Sequence, residues 1–237
     1  MTETLYLQDA YTKEMDARVL SISNNEVELD RTVFYPSGGG EPCDTGHLQI
    51  GPETYSVAEV KKEGDRILHV LDRHAPVDVN TAVHGTIDWD KRYAYMRYHT
   101  ATHVIDGIIL NKYNGVFTGG QIYSDRAHDD FDMPGLNREL ALKILQEAQQ
   151  VIDEGHPVVA RTLSNEEALK IPDLVRTNPG RELIQRLQHV RVVEIVGFDS
   201  QMDGGLHVAN TREIGKLELM DFENKGAHRK RIGIRIA

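Results

Sequence analysis

The sequence contains little cysteine, no long hydrophobic run and fewer positive than negative charges. Its single cysteine, Cys43, excludes a disulfide within the 237-residue chain and favours a reducing, cytoplasmic compartment. Because no run of about 18 apolar residues is present, we expect no membrane-spanning helix. The first residues, Met-Thr-Glu-Thr-Leu-Tyr, lack the basic and then apolar regions of a secretory signal, so none is expected.

The net charge limits the ways in which the protein can bind nucleic acid. There are 27 lysines and arginines against 37 aspartates and glutamates, for a formal net charge of -10. This argues against a protein that binds nucleic acid by neutralising phosphates over its whole surface, but it allows a local basic patch. Such a patch follows Glu223, and a solvated β-hairpin explains it equally well. Its basic residues are Lys225, Arg229, Lys230, Arg231 and Arg235.

The hydrophobic pattern divides the chain near residue 88. Residues 1–88 contain short strand-like segments separated by polar turns, which predicts a small β-barrel or sandwich. A helical period then begins, and Asp88 or Asp90 can cap a helix from Lys91 to Tyr113 that Asn114-Gly115 ends. We therefore expect one domain over 1–88 and a second over 89–237.

The second domain mixes helices with strands. Asn137 is placed to cap a helix that runs to Glu154, and Ser164 to Glu167 forms a capping box that opens a short helix. Two strands at 116–123 and 127–132 and a terminal hairpin over 216–236 complete the pattern. This mixture predicts an α+β fold, with helices layered on a mainly antiparallel sheet.

A glycine-rich loop interrupts the first domain. Gly38, Gly39 and Gly40 lie within Phe-Tyr-Pro-Ser-Gly-Gly-Gly-Glu-Pro-Cys-Asp-Thr-Gly, and consecutive glycines indicate either positive φ or the close approach of another backbone. The loop lacks the Gly-Lys-Ser/Thr ending of a P-loop, so a nucleotide cradle is not expected. It is either a tight barrel turn or a surface that an RNA terminus or the second domain approaches.

Two pairs of residues have the spacing of a metal site. His99 and His103 lie four residues apart on the predicted helix, which places both imidazoles on one face, although an ordinary pair of helix histidines has the same spacing. Asp203 and His207 repeat the interval across Gly204-Gly205, where glycines let the backbone fold so that both side chains converge. Three imidazoles and one carboxylate are an acceptable set for tetrahedral zinc.

These motifs in combination resemble a known family. His-Thr-Ala-Thr-His at 99–103, with Asp-Gly-Gly-Leu-His-Val-Ala-Asn-Thr-Arg-Glu-Ile-Gly at 203–215, resembles the editing domain of alanyl-tRNA synthetase. It resembles more closely the free-standing alanyl-tRNA editing proteins of the AlaX family, and the glycine-rich loop resembles that of members with an additional β-barrel. The usual second motif is Cys-Gly-Gly-Thr-His, so Asp203 stands at the cysteine position. Gln201 or water is the alternative fourth ligand.

The resemblance implies a trans-editing hydrolase that deacylates mischarged tRNA(Ala), mainly seryl-tRNA(Ala), with glycyl-tRNA(Ala) as a further candidate. Zinc would either polarise the ester and its attacking water or anchor the substrate's α-amino group. The implied metal ligands are His99, His103, Asp203 and His207. Selection of serine requires groups that hydrogen-bond a hydroxyl. The residues expected to act in catalysis and selectivity are His99, His103, His207, Thr118 and Gln121.

RNA contacts are expected at the glycine-rich loop and the C-terminal basic patch. The expected RNA-binding residues are Gly38, Gly39, Gly40, Lys225, Arg229, Lys230 and Arg231. Thr100 and Thr102, between the helix ligands, either line the pocket or face solvent.

Two other functions fit the same motifs: a metal-dependent hydrolase of another small ester or amide, and a zinc-stabilised module that binds tRNA or protein without catalysis. A closed structural zinc site normally contains cysteines, and none lies near these ligands.

Overall fold

The structure is a computed structural model that describes residues 2–226 and 228–237, apart from the side chains of residues 178 and 179. The chain divides into two compact units, Met1–Tyr95 and Met96–Ala237. The expected α+β architecture, with an N-terminal barrel followed by antiparallel sheets and helices, is confirmed. Within the described residues, no helix is both long and apolar enough to cross a membrane.

The first unit is built around a closed antiparallel barrel. Strands follow one another around it in the order β2-β3-β7-β6-β5-β8, and the short β1 and β4 pair in parallel outside it. Alternate residues of β5 are buried, as expected for a strand with one face in a barrel core. The elements are β1 (Glu3–Thr4), α1 (Leu5–Gln8), β2 (Glu14–Ser23), β3 (Glu26–Leu29), β4 (Arg31–Thr32), β5 (Gly46–Ile50), β6 (Glu53–Glu63), β7 (Arg66–Leu71) and β8 (Ala82–Ile87).

The glycine-rich loop is a tight turn. Gly38 and Glu41 exchange backbone hydrogen bonds of 3.1 and 2.8 Å, with Gly39 and Gly40 between them at φ of 58° and 91°. Positive φ at both central positions is the geometry of a type I′ turn and explains two of the three glycines. The chain beyond the turn is held by the buried Asp44 carboxylate, which accepts from the Tyr35 backbone N–H at 2.6 Å.

The second unit has two antiparallel sheets, ordered β14-β15-β10-β9 and β11-β12-β13. Its elements, with the helix α2 that begins in the first unit, are α2 (Trp89–Tyr113), β9 (Val116–Ile122), β10 (Ala127–Asp132), α3 (Arg138–Glu154), β11 (Val158–Ser164), α4 (Asn165–Ala168), α5 (Asn178–Ile184), β12 (His189–Ile195), β13 (Asp199–Met202), a 3₁₀ helix (Thr211–Ile214), β14 (Leu217–Asn224) and β15 (Lys230–Ile236).

The helix ends follow the predicted local chemistry. The α2 helix begins two residues earlier than expected and ends at Tyr113, where Asn114 has a φ of 54° and Gly115 donates its backbone N–H to the Ile109 carbonyl. Asn137 caps α3 as predicted, and Gly155 ends it in the left-handed region. The predicted capping box at Ser164 and Glu167 is also present. Local capping signals therefore set these boundaries correctly.

The burial of α2 differs from the expected single apolar face. From Tyr98 to Ile109 every residue is buried, so this part of the helix is surrounded on all sides. Polar residues in that stretch must therefore find partners inside the protein. They include both histidines of the predicted metal site.

Candidate metal centre

The four side chains predicted as metal ligands converge. His99, His103, Asp203 and His207 each offer one ligand atom, and these atoms lie within 4.8 Å of one another. The two carboxylate oxygens of Asp203 face different histidines, Oδ1 lying 3.6 Å from His99 Nε2 and Oδ2 lying 3.1 Å from His207 Nε2. Ligands of a tetrahedral zinc ion with bonds of about 2.0–2.2 Å stand roughly 3.4 Å apart, so these two spacings suit a metal.

Packing orders the helical half of the cluster. The ring centroids of His99 and His103 are 5.0 Å apart, and each lies within 4.5 Å of the His207 ring centroid. Thr102 is buried and donates to the His99 carbonyl at 2.8 Å. Solvation of the helix face, one interpretation of the threonines between the ligands, is therefore wrong.

Arg191 of β12 stabilises the turn that carries the other two ligands. Its Nη1 donates to the carbonyl oxygens of Asp203 and Gly205 at 3.0 and 2.8 Å. The Gly205 backbone N–H in turn donates to Asp203 Oδ2 at 2.7 Å. Asp203 and His207 converge as expected, and neither Gly204 nor Gly205 has a positive φ in this turn.

Hydrogen bonds to Thr100 select the tautomer of His207. The single hydroxyl proton of Thr100 is donated to the Met96 carbonyl at 2.9 Å, so its oxygen is an acceptor towards other groups. It accepts from the Val208 backbone N–H and lies 3.2 Å from His207 Nδ1, which must therefore carry the imidazole proton. The lone pair of Nε2 then faces Asp203. An outer partner of this kind orients and tunes a metal-binding histidine.

The protonation states also suit a cation. Burial, together with the neighbouring His207 and His99, lowers the pKa of His103 well below its usual range, and burial lowers the pKa of His207 to about 4. Burial opposes ionisation of Asp203, but His99 and the His207 hydrogen bond outweigh it and hold the Asp203 pKa well below its usual range. The neutral imidazoles of His103 and His207 beside the ionised Asp203 carboxylate are ligand forms that divalent zinc requires.

Three charged residues that no sequence motif marked as functional, Asp106, Arg176 and Asp199, lie near this cluster. Asp106 lies one turn beyond His103 on α2, and Arg176 pairs with Asp199 of β13. Gln201, the alternative fourth ligand, donates its side-chain amide to Asp199 at 3.0 Å. The helical spacing of Asp106 from His99 and His103 is the sequence signal that could have indicated its position near the cluster. No local pattern marked Arg176, which lies between helices α4 and α5.

Known families and full-length relatives match the chain. Residues 2–91 match the family described as tRNA synthetases class II (A), and residues 190–233 match the threonyl and alanyl tRNA synthetase second additional domain. The chain is 45% identical over 234 residues to the alanyl-tRNA editing protein AlaX-M of Saccharolobus solfataricus, covering 98% of both. The chain belongs to the AlaX family. The AlaX-M protein of Methanosarcina acetivorans is 38% identical over 245 residues, again with 98% of each chain covered.

The AlaX chain also matches part of a larger enzyme. The alanine–tRNA ligase of Ignicoccus hospitalis is 39% identical over 223 residues, which are 92% of this chain but 24% of the ligase. The resemblance to alanyl-tRNA synthetase that the motifs suggested is thus confirmed. It concerns about a quarter of that enzyme.

The two residues predicted to select serine in this AlaX chain lie on β9. Thr118 is exposed, and its hydroxyl donates to the Asp130 carbonyl at 3.0 Å, while Gln121 donates to the Ile122 carbonyl at 3.3 Å. Within residues 2–226 and 228–237, no hydrogen bond is described from Thr118 to the histidine cluster. Gln121 pairs in register with His128 of β10. Their role in selectivity stays a prediction.

The basic patch of this AlaX chain is largely engaged in internal pairs. Arg229 and Arg231 both donate to Asp130, and they hold the pKa of that carboxyl at about 2 although burial alone would raise it. Lys230 is only 5% exposed and donates to Asn224 Oδ1 and the Gly226 carbonyl. Lys225 lies 3.4 Å from Glu223. RNA binding here also stays a prediction, and fewer charges are free for it than the sequence suggested.

Proposed function

We propose that the protein is a zinc-dependent deacylase that removes a wrongly attached amino acid from tRNA(Ala). The observation that supports this most is the convergence of three histidines and one aspartate in a chain of the AlaX family. All four residues belong to the unit Met96–Ala237. We therefore assign the chemistry to the domain predicted over 89–237 and a supporting role in tRNA binding to the barrel predicted over 1–88.

The reaction is hydrolysis of an activated ester. The oxygen of water bonds to the ester carbonyl carbon, the bond from that carbon to the ribose oxygen breaks, and a proton passes to the ribose oxygen. The products are the free amino acid and tRNA with its terminal hydroxyl restored. A zinc ion held by His99, His103, Asp203 and His207 would supply Lewis acidity to this site.

The chain's own residues prepare the site for that reaction. Thr100 keeps the proton of His207 on Nδ1 and so directs the Nε2 lone pair into the cluster. Arg191 holds the backbone of the Asp203 turn. Burial keeps the His103 and His207 imidazoles neutral and leaves little of the three histidines exposed. These contacts fix the ligands before substrate arrives, which is what catalysis by preorganisation requires.

The substrate we propose is seryl-tRNA(Ala), with glycyl-tRNA(Ala) as a second candidate. Thr118 and Gln121 are the proposed contacts of the serine hydroxyl, because a site built to bind a hydroxyl disfavours the analogue that lacks one. If they act so, Thr118→Val or Gln121→Ala will narrow the ratio of seryl- to alanyl-tRNA(Ala) hydrolysis. An unchanged ratio in both variants removes these residues from the account.

The tRNA contacts we propose lie in the exposed glycine-rich turn and among the basic residues of the C-terminal hairpin. Arg229 is the most accessible of the latter, with 59% of its side chain exposed despite its pairing with Asp130. Charge reversal at Lys225 and Arg229 should weaken tRNA binding and flatten its salt dependence. An unaltered salt slope excludes the hairpin as the binding surface.

The test of the proposed function compares two histidines. His103→Ala should lose bound zinc, measured by elemental analysis, and should lose deacylation of seryl-tRNA(Ala) by more than the roughly 100-fold that follows loss of an outer metal partner. His84→Ala, at an exposed barrel histidine, is the matched control and should retain both. Full zinc and full activity in His103→Ala would reject the metal-dependent mechanism.

A further inference from the structure

Asp106 is a buried carboxyl group beside the metal cluster with an unpaired oxygen. It follows His99 by seven residues and His103 by three, so the three side chains project from one face of α2. The residue is 5% exposed, and its Oδ1 atom has no hydrogen-bond partner among the described residues. An unpaired buried oxygen costs free energy, which indicates that it serves a bound group rather than the fold.

Arg176 is also buried near the cluster, and it has hydrogen-bond donors, rather than an acceptor, without partners among the described residues. Its side chain is 8% exposed, and one nitrogen, Nη2, pairs with Asp199. The Nε and Nη1 atoms are buried and have no hydrogen-bond partner within the described part of the chain. Asp199 is held in place by the Gln201 amide and approaches α2 at Gly107, where a Cβ atom would lie 3.2 Å from its carboxyl carbon. The guanidinium is therefore fixed at one end, with two donors to offer.

Electrostatic effects show that Asp106 and Arg176 both lie near the histidine cluster. Burial is the main cause that raises the pKa of Asp106 to about 7, Asp199 adds to it, and Arg176 and His99 act in the opposite direction. Asp129 of β10 lies near enough to Asp106 for the two carboxyls to repel each other. Arg176 also contributes to lowering the pKa of His103. A bound ligand with a positively charged group next to Asp106 and a negatively charged group next to Arg176 would therefore be stabilised at this site.

We propose that Asp106 and Arg176 bind the two polar ends of the aminoacyl group beside the metal centre. Asp106 accepts a hydrogen bond from the α-ammonium group, and Arg176 donates from Nε and Nη1 to the ester carbonyl oxygen. This assignment rests on the proposed deacylase function. It explains why, among the described residues, one oxygen of Asp106 and two nitrogens of Arg176 are buried without hydrogen-bond partners.

The two residues act at different stages. When water adds to the carbonyl carbon, negative charge collects on the carbonyl oxygen, and it returns to the carbon as the bond to the ribose oxygen breaks. Fixed donors at that oxygen stabilise the transition state more than the ground state. Asp106 instead recognises a feature that is unchanged in the reaction. It therefore selects esters with a free amino group.

The test for Asp106 compares seryl-tRNA(Ala) with N-acetylseryl-tRNA(Ala), an equivalent ester without the positive charge. The wild-type protein should prefer the free amine in kcat/KM by roughly 10- to 100-fold, the value of one charged hydrogen bond. Asp106→Asn should abolish that preference while zinc content stays full. Asp125→Asn, at an exposed acid, is the control and should leave the preference as it is. A preference that survives in Asp106→Asn would overturn the assignment.

The test for Arg176 separates binding from chemistry. Arg176→Lys keeps a positive charge for Asp199 but removes the Nε and Nη1 donors. We expect kcat to fall by about 100-fold, as for loss of one oxyanion donor, and to fall equally on both substrates with little change in KM. A loss confined to the free-amine substrate, or no loss, would contradict the assignment of the carbonyl oxygen to Arg176.

A binding measurement distinguishes failure of this inference from failure of the proposed function. The probe is adenosine with serine attached through a 3′-amide, which is not hydrolysed. Weaker binding by Asp106→Asn, together with unchanged thermal unfolding, would support the aminoacyl pocket even if tRNA turnover were absent. Equal binding by wild type and variant, with wild-type deacylation intact, would reject the pocket and leave the deacylase function standing.

Discussion

Two buried histidines, His69 in the barrel and His207 in the metal cluster, occupy environments that look alike until their hydrogen bonds are compared. Burial lowers the pKa of each to about 4. Each carries its proton on Nδ1: that of His69 points to the Val27 carbonyl at 3.1 Å, and that of His207 points to Thr100. A low histidine pKa therefore reports burial and does not identify a functional site.

The difference lies at Nε2. Thr32 accepts from the Phe34 backbone N–H, which leaves its own hydroxyl proton for His69 Nε2 at 2.8 Å. His207 Nε2 faces Asp203 Oδ2 instead, and an ionised carboxylate has no proton to give. Two lone pairs at 3.1 Å need a cation or a proton between them. The barrel histidine is thus satisfied by the protein, whereas the cluster histidine is arranged for a ligand.

The largest expected effect comes from removing the cluster histidine. His207→Ala should abolish zinc binding and reduce deacylation of seryl-tRNA(Ala) by more than about 100-fold, because an inner ligand matters more than an outer partner. The stability of the metal-free protein should fall less than in His69→Ala, because Thr100 keeps its hydrogen bonds with Met96 and Val208. Elemental analysis, a deacylation assay and thermal unfolding after chelation check these outcomes. Retained zinc would mean that His207, like His69, is not a metal ligand.

His69→Ala should have the opposite signature. It leaves a cavity in the barrel and strands the Thr32 hydroxyl and the Val27 carbonyl, which should cost about 2–4 kcal/mol of stability. Activity per folded molecule should be unaffected. Denaturant unfolding measures the loss of stability, and kinetics normalised to the concentration of folded protein measure the activity. Lost activity in a fully folded variant would mean that the barrel histidine is not merely structural.

Thr100→Val tests the hydrogen-bond partner that orients His207. It removes the oxygen that accepts from His207 Nδ1, so zinc affinity should fall by about 10- to 100-fold. Thr100→Ser keeps the hydroxyl and is the matched control. Competition with a zinc chelator measures both variants, and equal affinities would show that the threonine does not orient His207.

The smallest effect concerns acid stability of the barrel. His69 is neutral in the folded state down to about pH 4, whereas the unfolded chain takes up a proton below about pH 6.5. The unfolded state therefore binds more protons in this window, and stability falls as pH falls from about 6.5 to 4, by about 1 kcal/mol per pH unit from this group. The slope should be shallower in His69→Gln. Equal slopes would show that His69 does not control it.

Sequence patterns predicted the features that depend on local chemistry. The Asn137 cap, the Ser164 capping box and the end of α2 all follow from side chains within a few residues of one another. The barrel followed from regular short strands. Strand β13 and helix α5 were missed, because β13 has four residues and α5 begins with Asn-Pro-Gly, which reads as a turn.

The site was predictable only in part, for the same reason. His99, His103, Asp203 and His207 share a repeated interval and a family motif, so their convergence could be expected. Arg176 has neither, and it reaches Asp199 and the neighbourhood of Asp106 only through tertiary packing. The pairing of Arg229 and Arg231 with Asp130 was hidden likewise, since about a hundred residues separate them. Long-range partners of charged groups are what a single sequence reveals least.

The most direct test of the metal centre is anomalous diffraction at the zinc edge from crystals of the zinc-loaded protein. We expect one peak about 2.0–2.2 Å from a nitrogen of each of His99, His103 and His207 and from an oxygen of Asp203. A peak away from these residues would contradict it, and so would a centre in which Gln201 or water replaces Asp203.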